Sequence, residues 1–317
     1  MRNVSRIGLG CMGMSEFYGA TDDAQSMQTL ETAFDNGVTL FDSADSYGIG
    51  HNEELLGRFL RGKREQVVIA TKFGLVRRKG SYERRIDNSP TYIRQACEAS
   101  LGRLGVEHID LYYIHRLNLE QTALEDSIGA LAGLVEQGKI GAIGLCEVSP
   151  ATLRRAAAIH PIAALQSEYS LWTRDPEDGV LQACRDVGAI FCAYSPLGRG
   201  FLTGKVAELQ AGDFRTLSPR FAAENAQANQ RIADIVHRIA TEKGCTPAQL
   251  ALAWLLAQGD DVVPIPGTKR TSYLLENLGA LQVHMTEAEL LRVGAALPAG
   301  MAAGARYPQE GMKGLNA

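Results

Sequence analysis

Nothing in the 317-residue sequence approaches the roughly 18 consecutive apolar residues that a membrane-spanning helix requires. The chain opens Met-Arg-Asn-Val-Ser-Arg and enters a short apolar run, with no hydrophobic signal region and no cleavage pattern, so a cytoplasmic location is expected. It has no basic block. Its 32 Lys and Arg are dispersed among 36 Asp and Glu for a net charge of −4, which argues against nucleic acid or an anionic membrane as a partner. The six cysteines form no CxxC pair, and no Cys/His cluster has zinc spacing. Cys97, Cys184 and Cys192 fall in apolar periodic segments and read as core thiols rather than parts of a disulfide framework. There is no GxSxG nucleophile elbow and no carboxylate/histidine set with metal spacing. Linkers, low-complexity tracts and close repeats are missing too, so one domain over residues 1–317 is expected.

What the sequence has is an alternation. Short β-branched or apolar runs at 7–12, 39–44, 67–72, 109–115, 140–148, 164–169, 189–196 and 262–266 read as strands. Between and after them, segments 22–36, 51–60, 90–104, 122–137, 149–159, 178–187, 225–243, 247–257, 271–281 and 287–296 carry helical periodicity. Gly37, Gly62, Gly105, Gly138, Gly188 and Gly259 punctuate helix ends, and Thr246-Pro247 reads as a helix N-cap and first position. Eight strand–helix units with near-continuous apolar strands predict parallel strands covered by helices. The expected fold is a (β/α)8 TIM barrel, with an open doubly wound sheet as the alternative. Gly8-Leu9-Gly10-Cys11-Met12-Gly13 spells the dinucleotide fingerprint, but its glycines lie in the strand and the next helix begins too late.

In such barrels the active site forms at the C-terminal ends of the strands. Strand after strand ends here in a polar residue: Asp42 and Tyr47 after the second, Lys72 at the third, His115 after the fourth, Gln166 in the sixth and Tyr194 in the seventh. Singly, each has an ordinary explanation as a turn former, rim residue or solvated charge. Jointly, Asp42, Tyr47, Lys72 and His115 would converge on one mouth from three adjacent strands. A tyrosine with a pKa of about 10 is a poor acid unless a nearby ammonium stabilises its phenolate. A carboxylate would orient that lysine, and a histidine could donate to a carbonyl oxygen. The set suits general acid catalysis on a C=O group, with the electrophilic or hydridic partner supplied by a cofactor.

At these motifs the sequence resembles the aldo-keto reductase superfamily, most closely the branch that includes pyridoxal reductases and perakine reductase. The resemblance rests on Phe41-Asp42-Ser-Ala-Asp-Ser-Tyr47-Gly48, Ala70-Thr-Lys72, Tyr113-Ile-His115-Arg116, Ala193 to Gly200, and Pro264 to Arg270 with Glu276-Asn277. It implies an NADPH-dependent (NADP+-forming) reductase of a small aldehyde or ketone, with Asp42, Tyr47, Lys72 and His115 as catalytic tetrad and Tyr47 as proton donor. It further implies that Tyr194 stacks on the nicotinamide, while Met12, Cys146, Glu147 and Gln166 border that ring and its carboxamide. Ser195, Pro196, Leu197, Gly198, Gly200 and Lys205 would line the pyrophosphate. Gly267, Thr268, Lys269 and Arg270 would meet the adenosine 2′-phosphate, and Glu276 and Asn277 the adenine. The adjacent cations Lys269 and Arg270 at a helix start suit that phosphate independently. Two positions depart from the pattern: Cys146 replaces a usual Ser, and Tyr273 stands where relatives place Arg, Gln or His. A redox-sensing regulatory subunit and a Schiff-base aldolase using Lys72 are the competing readings.

Overall fold

The computed structural model describes residues 4–78, 84–204, 209 and 213–317. Eight parallel strands follow one another around a single sheet in chain order. They are β1 (Leu9–Gly10), β2 (Leu40–Asp42), β3 (Val68–Phe73), β4 (Leu111–Ile114), β5 (Ile143–Cys146), β6 (Ile162–Glu168), β7 (Ile190–Tyr194) and β8 (Val262–Pro264). The ring closes between the first and last strands. Gly8 N donates to Pro264 O at 3.0 Å, Gly10 N donates to Pro266 O at 3.2 Å, and Gly10 bridges Gly267 in parallel. This seam gives the strand glycines a structural role: a Cβ on Gly10 would lie 2.9 Å from Ile265 O. The GxGxxG lettering therefore marks close strand–strand approach and not a phosphate turn.

The strands are buried on both faces, as parallel strands under helices must be. Leu40, Val68, Ala70, Leu111, Tyr113, Cys146, Ala164, Cys192, Val263 and Ile265 pack together inside the ring. Their alternate neighbours, among them Phe41, Ile69, Tyr112, Leu145 and Leu165, pack outward into the larger core under the helices. Tyr113 fills the space over Gly144, where a Cβ would overlap its ring, and its hydroxyl donates to Cys192 Sγ at 3.2 Å. The strands are shorter than the apolar runs suggested, because the last residues of several runs leave the ladder for the loops that bear polar side chains.

The outer layer is α1 (Asp23–Asp35), α2 (His51–Phe59), α3 (Pro90–Leu104), α4 (Leu124–Glu136), α5 (Pro150–Ile159), α6 (Val180–Val187), α7 (Ala223–Lys243), α8 (Pro247–Leu256), α9 (Thr271–Leu278) and α10 (Glu287–Ala296). Sequence signals set their ends. The Asp22 carboxylate accepts from Ala24 N and Gln25 N at the start of α1, and Thr246 and Gln249 form a reciprocal capping box at the start of α8. None of the helices among the described residues is long and apolar enough to cross a membrane.

Two features lie outside the sequence expectation. An antiparallel hairpin pairs Leu75–Arg77 with Arg84–Ile86 directly after β3. Beyond the last expected helix at 287–296, the glycine-rich end of the chain carries the short helix α11 (Gln309–Met312) and returns to the barrel mouth, where Asn316 N donates to Glu147 O and Ser149 N donates to Ala317 O.

Candidate active site

Lys72 is the pivot of the mouth. Val68 and Ala70 point into the ring, and the two-residue period of a strand carries Lys72 to the same face, at its upper end. Its side chain is fully buried, which an ammonium tolerates only when its donors find acceptors. The Nζ pairs with Asp42 Oδ1 at the end of β2, donates to Ser43 O at 2.7 Å, and lies 3.4 Å from the Tyr47 hydroxyl. Tyr47 stands on a tight turn after β2, where Gly48 adopts φ +56°. The other Asp42 oxygen accepts from Gln166 Nε2 at 2.8 Å, so β6 braces the pair from across the barrel. His115, directly after β4, meets Tyr47 edge-to-face with ring centroids 5.9 Å apart. The four residues that converged only by strand counting are thus brought together.

Burial and charge set their protonation. Burial disfavours the Lys72 ammonium, but Asp42, and after it Tyr47 and Cys146, together outweigh that and the lysine stays charged above its ordinary range. Burial also pushes the Tyr47 phenol well above its ordinary value, and Lys72 pulls the other way without overcoming it. Lys72 therefore acts in the expected direction while the net shift is upward, so Tyr47 holds its proton. Burial, then the neighbouring Lys72 and Arg116 cations, hold His115 well below the ordinary histidine value and hence neutral. Its Nδ1 is buried and has no hydrogen-bond partner among the described residues.

The other half of the mouth, from β5 to β8, holds most of the candidate cofactor residues. Met12 sits in the turn after β1, and Cys146 ends β5 with its thiol buried. Glu147 follows at φ +56°, and its Oε1 accepts from Tyr194 OH at 2.7 Å and from Glu168 N at 2.9 Å, and pairs with Arg306. The Tyr194 hydroxyl also meets Tyr307 OH at 2.9 Å. Ser195, Pro196, Leu197, Gly198 and Gly200 form a contorted turn in which Ser195, Gly198 and Gly200 all have positive φ. Lys205 lies outside the described residues.

Gly267 bridges Gly10, and Thr268 Oγ1 accepts from Arg270 N at 3.1 Å. Lys269 Nζ donates to the carbonyls of Tyr18 at 2.8 Å and Ala20 at 2.5 Å, fastening the loop after β1 to the loop after β8. Arg270 stands at the N-cap of α9, its guanidinium 5.5 Å from the Tyr273 ring centroid. Glu276 and Asn277 lie further along α9, with Asn277 buried.

Sequence reasoning missed the ion network under this half. Buried Glu168, the last residue of β6, accepts from Thr173 Oγ1 at 2.9 Å and faces Arg199 at 3.3 Å, Arg220 at 3.4 Å and Arg306 at 3.5 Å. Burial works against its charge, but the three guanidiniums outweigh that and hold its carboxyl below the usual range. Arg306 and Tyr307 come from the end of the chain, beyond the last expected helix, and the Gly304-Ala-Arg306-Tyr307-Pro308 cluster was the one signal that could have drawn attention. A surface cavity of about 510 Å³ lies at the opposite end, between Leu60–Arg64 and Gly105–His108 ahead of β3 and β4, away from these groups.

A parallel eight-strand barrel with Asp, Tyr, Lys and His gathered at one mouth defines a class, and sequence comparison gives the same answer. The sequence profile described as the Aldo/keto reductase family matches residues 6–297, and this chain belongs to that family. It is 46% identical over 313 residues to the Schizosaccharomyces pombe protein named Aldo-keto reductase yakc [NADP(+)], covering 96% of this chain and 92% of that one. It is likewise 46% identical over 308 residues to the Glycine max protein named Probable aldo-keto reductase 1, covering 96% and 88%. Among solved structures, a glycerol dehydrogenase from Gluconobacter oxydans superposes with a TM-score of 0.83 at 29% identity, over 94% of this chain and 93% of that one. An aldo-keto reductase from Klebsiella pneumoniae, solved in complex with NADPH, gives 0.72 at 26% identity over 96% and 95%.

Proposed function

We propose that this protein is an NADPH-dependent carbonyl reductase that converts a small aldehyde or ketone to its alcohol, with Tyr47 as proton donor. The observation that carries the reading is the buried Lys72 ammonium, held by Asp42 and reaching the hydroxyl of a still-protonated Tyr47 beside a neutral His115. When bound, the cofactor supplies a hydride to the carbonyl carbon. Tyr47 then gives its phenolic proton to the carbonyl oxygen, and Lys72 stabilises the phenolate that remains. His115, neutral, has one N–H to donate to the same oxygen, fixing the carbonyl's orientation. Asp42 keeps Lys72 charged and aimed, and Gln166 holds Asp42 in place.

The chain also fits the cofactor. Within the turn after β7, Arg199 keeps one guanidinium nitrogen, Nη1, buried and unpartnered among the described residues, as a site for phosphate oxygens would. Arg270 at the start of α9 supplies the 2′-phosphate cation. Lys269, held by backbone carbonyls, mainly positions the neighbouring loop. Names of relatives that specify NADP(+) or a complex with NADPH support the same choice.

The test is oxidation of NADPH, and of NADH in parallel, against a panel of aldehydes, ketones and pyridoxal. Turnover that favours NADPH is expected, and Arg270→Ala should raise the KM for NADPH more than that for NADH. NADPH binding without turnover of any panel member would instead favour a regulatory subunit.

A further inference from the structure

Beside the tetrad, on the β4 side of the mouth, the structure collects positive charge with no carboxylate in direct contact among the described residues. Arg116 follows His115 and is only 6% exposed. Its Nη1 donates to His115 O at 2.7 Å, while its Nε is buried with no partner. Among the described residues no carboxylate lies within ion-pair distance of Arg116. Burial works against the Arg116 charge, while Tyr194 and then Glu147 favour it from a distance, and that carboxylate is already engaged by Arg306, Tyr194 and Glu168 N. Arg84, on the hairpin after β3, donates to Glu310 O at 3.1 Å and has no carboxylate partner among the described residues either. Arg84 is exposed at the rim, where partial desolvation first, and Arg116 second, make its charge unfavourable, so the two cations lie within electrostatic reach of each other. Arg77, by contrast, is neutralised by Glu16 at 2.6 Å.

Burying a guanidinium without a counter-ion is costly, and so is setting a second cation near it. An arrangement of this kind suits a ligand that brings the missing negative charge. On the cofactor assignment made above, the phosphates lie on the far side, at the turn after β7 and the start of α9, so they do not supply it. We propose that the carbonyl substrate carries a carboxylate, which Arg116 grips through its unpartnered Nε edge and Arg84 attracts from the rim, while its C=O oxygen lies between Tyr47 and His115. This proposal rests on the reductase reading and refines its substrate class. A planar guanidinium with Nε unengaged presents the forked donor geometry that a carboxylate matches with two oxygens. Arg116 is then a specificity residue, one position along the chain from the residue that orients the carbonyl.

The experiment compares 4-carboxybenzaldehyde with its methyl ester, methyl 4-formylbenzoate, at saturating NADPH. The aldehyde of the ester compound is the more electrophilic of the two, since a para ester withdraws electrons more than a carboxylate, so intrinsic reactivity works against the expected result. The enzyme should favour the acid by at least about tenfold in kcat/KM, the scale of one charge-assisted hydrogen bond. Arg116→Gln should remove that preference by raising the KM for the acid alone, and Arg116→Lys should keep part of it. The exposed substitution Arg84→Ala, which carries little folding risk, should reduce the preference in part. None of the three should alter the Kd for NADPH measured by fluorescence. Equal efficiency with acid and ester in the wild-type enzyme overturns the proposal and leaves the reductase reading standing. A rise in the NADPH Kd of Arg116→Gln that matches its rise in KM assigns the guanidinium to the cofactor and overturns it as well. If neither aldehyde nor any neutral panel member turns over, the reductase reading fails and this refinement falls with it.

Discussion

The two halves of the barrel mouth solve the problem of buried charge differently. On the β2–β4 side one ammonium meets one carboxylate, Lys72 with Asp42, and Asp42, Tyr47, Lys72 and His115 all lie at or shortly after the ends of three neighbouring strands. On the β5–β8 side Glu147 and Glu168 are neutralised by Arg199, Arg220 and Arg306, drawn from the β7 loop and the end of the chain. The first half is local and stiff, as groups that must sit within hydrogen-bonding distance of a reacting oxygen need to be. The second is assembled over long range, and its last contributors, Arg306 and Tyr307, lie over Tyr194, the residue proposed to stack on the nicotinamide. On the proposed reading, the first half carries the chemistry and the second borders the cofactor.

The comparison breaks most sharply at Tyr47. Tyr47→Phe removes the proton donor and should lower kcat by about 10²–10⁴-fold with little change in the NADPH Kd; retained turnover would strip the β2–β4 side of its assigned chemistry. Next in size is Asp42→Ala, which leaves the fully buried Lys72 without its counter-ion. Denaturant unfolding should show a loss of about 3–5 kcal/mol. Arg306→Ala tests the other half. It should reduce stability by about 1–3 kcal/mol, the cost of leaving buried partners under-satisfied, while kcat at saturating cofactor stays near wild type and stopped-flow NADPH association speeds up. A loss of kcat comparable to that of Tyr47→Phe would erase the division between the halves.

His115 gives a smaller effect with a defined sign. Its imidazole is held neutral in the fold, whereas the unfolded chain takes up a proton below about pH 6.5. Its contribution to stability is therefore complete above that pH and is lost as the pH falls. Tm should drop more between about pH 7.5 and 5 in the wild type than in His115→Gln. The smallest effect belongs to neither half: Arg155→Ala removes an exposed pair with Glu125 on the outer helices and should leave Tm unchanged in calorimetry.

How much of this could be read in advance follows the same line. The strand–helix alternation, the Thr246 cap and the convergence of Asp42, Tyr47, Lys72 and His115 were legible because helix-start signals, strand periodicity and the rule that barrel sites lie at strand ends place each residue without knowledge of its distant neighbours. The net upward shift of Tyr47 was not, because it depends on burial that a sequence does not state. Lys269 looked like a free cation beside Arg270, yet its acceptors are the carbonyls of Tyr18, Gly19 and Ala20 in the loop after β1. Glu147 was legible as a strand-end residue, but its partner Arg306 is 159 positions away in a stretch with no strand or helix signal. Backbone carbonyl acceptors and long-range ion partners leave no local pattern.

The glycine seam that closes the barrel also sets a timetable for its birth. On the ribosome β1 can find β2 almost at once, but its other flank waits for Pro264, Pro266 and Gly267. At roughly 5–20 residues per second the nascent chain spends tens of seconds with that flank unpaired. Only a two-residue strand, Leu9–Gly10, is left waiting, which gives a neighbouring chain little backbone to pair with during the interval.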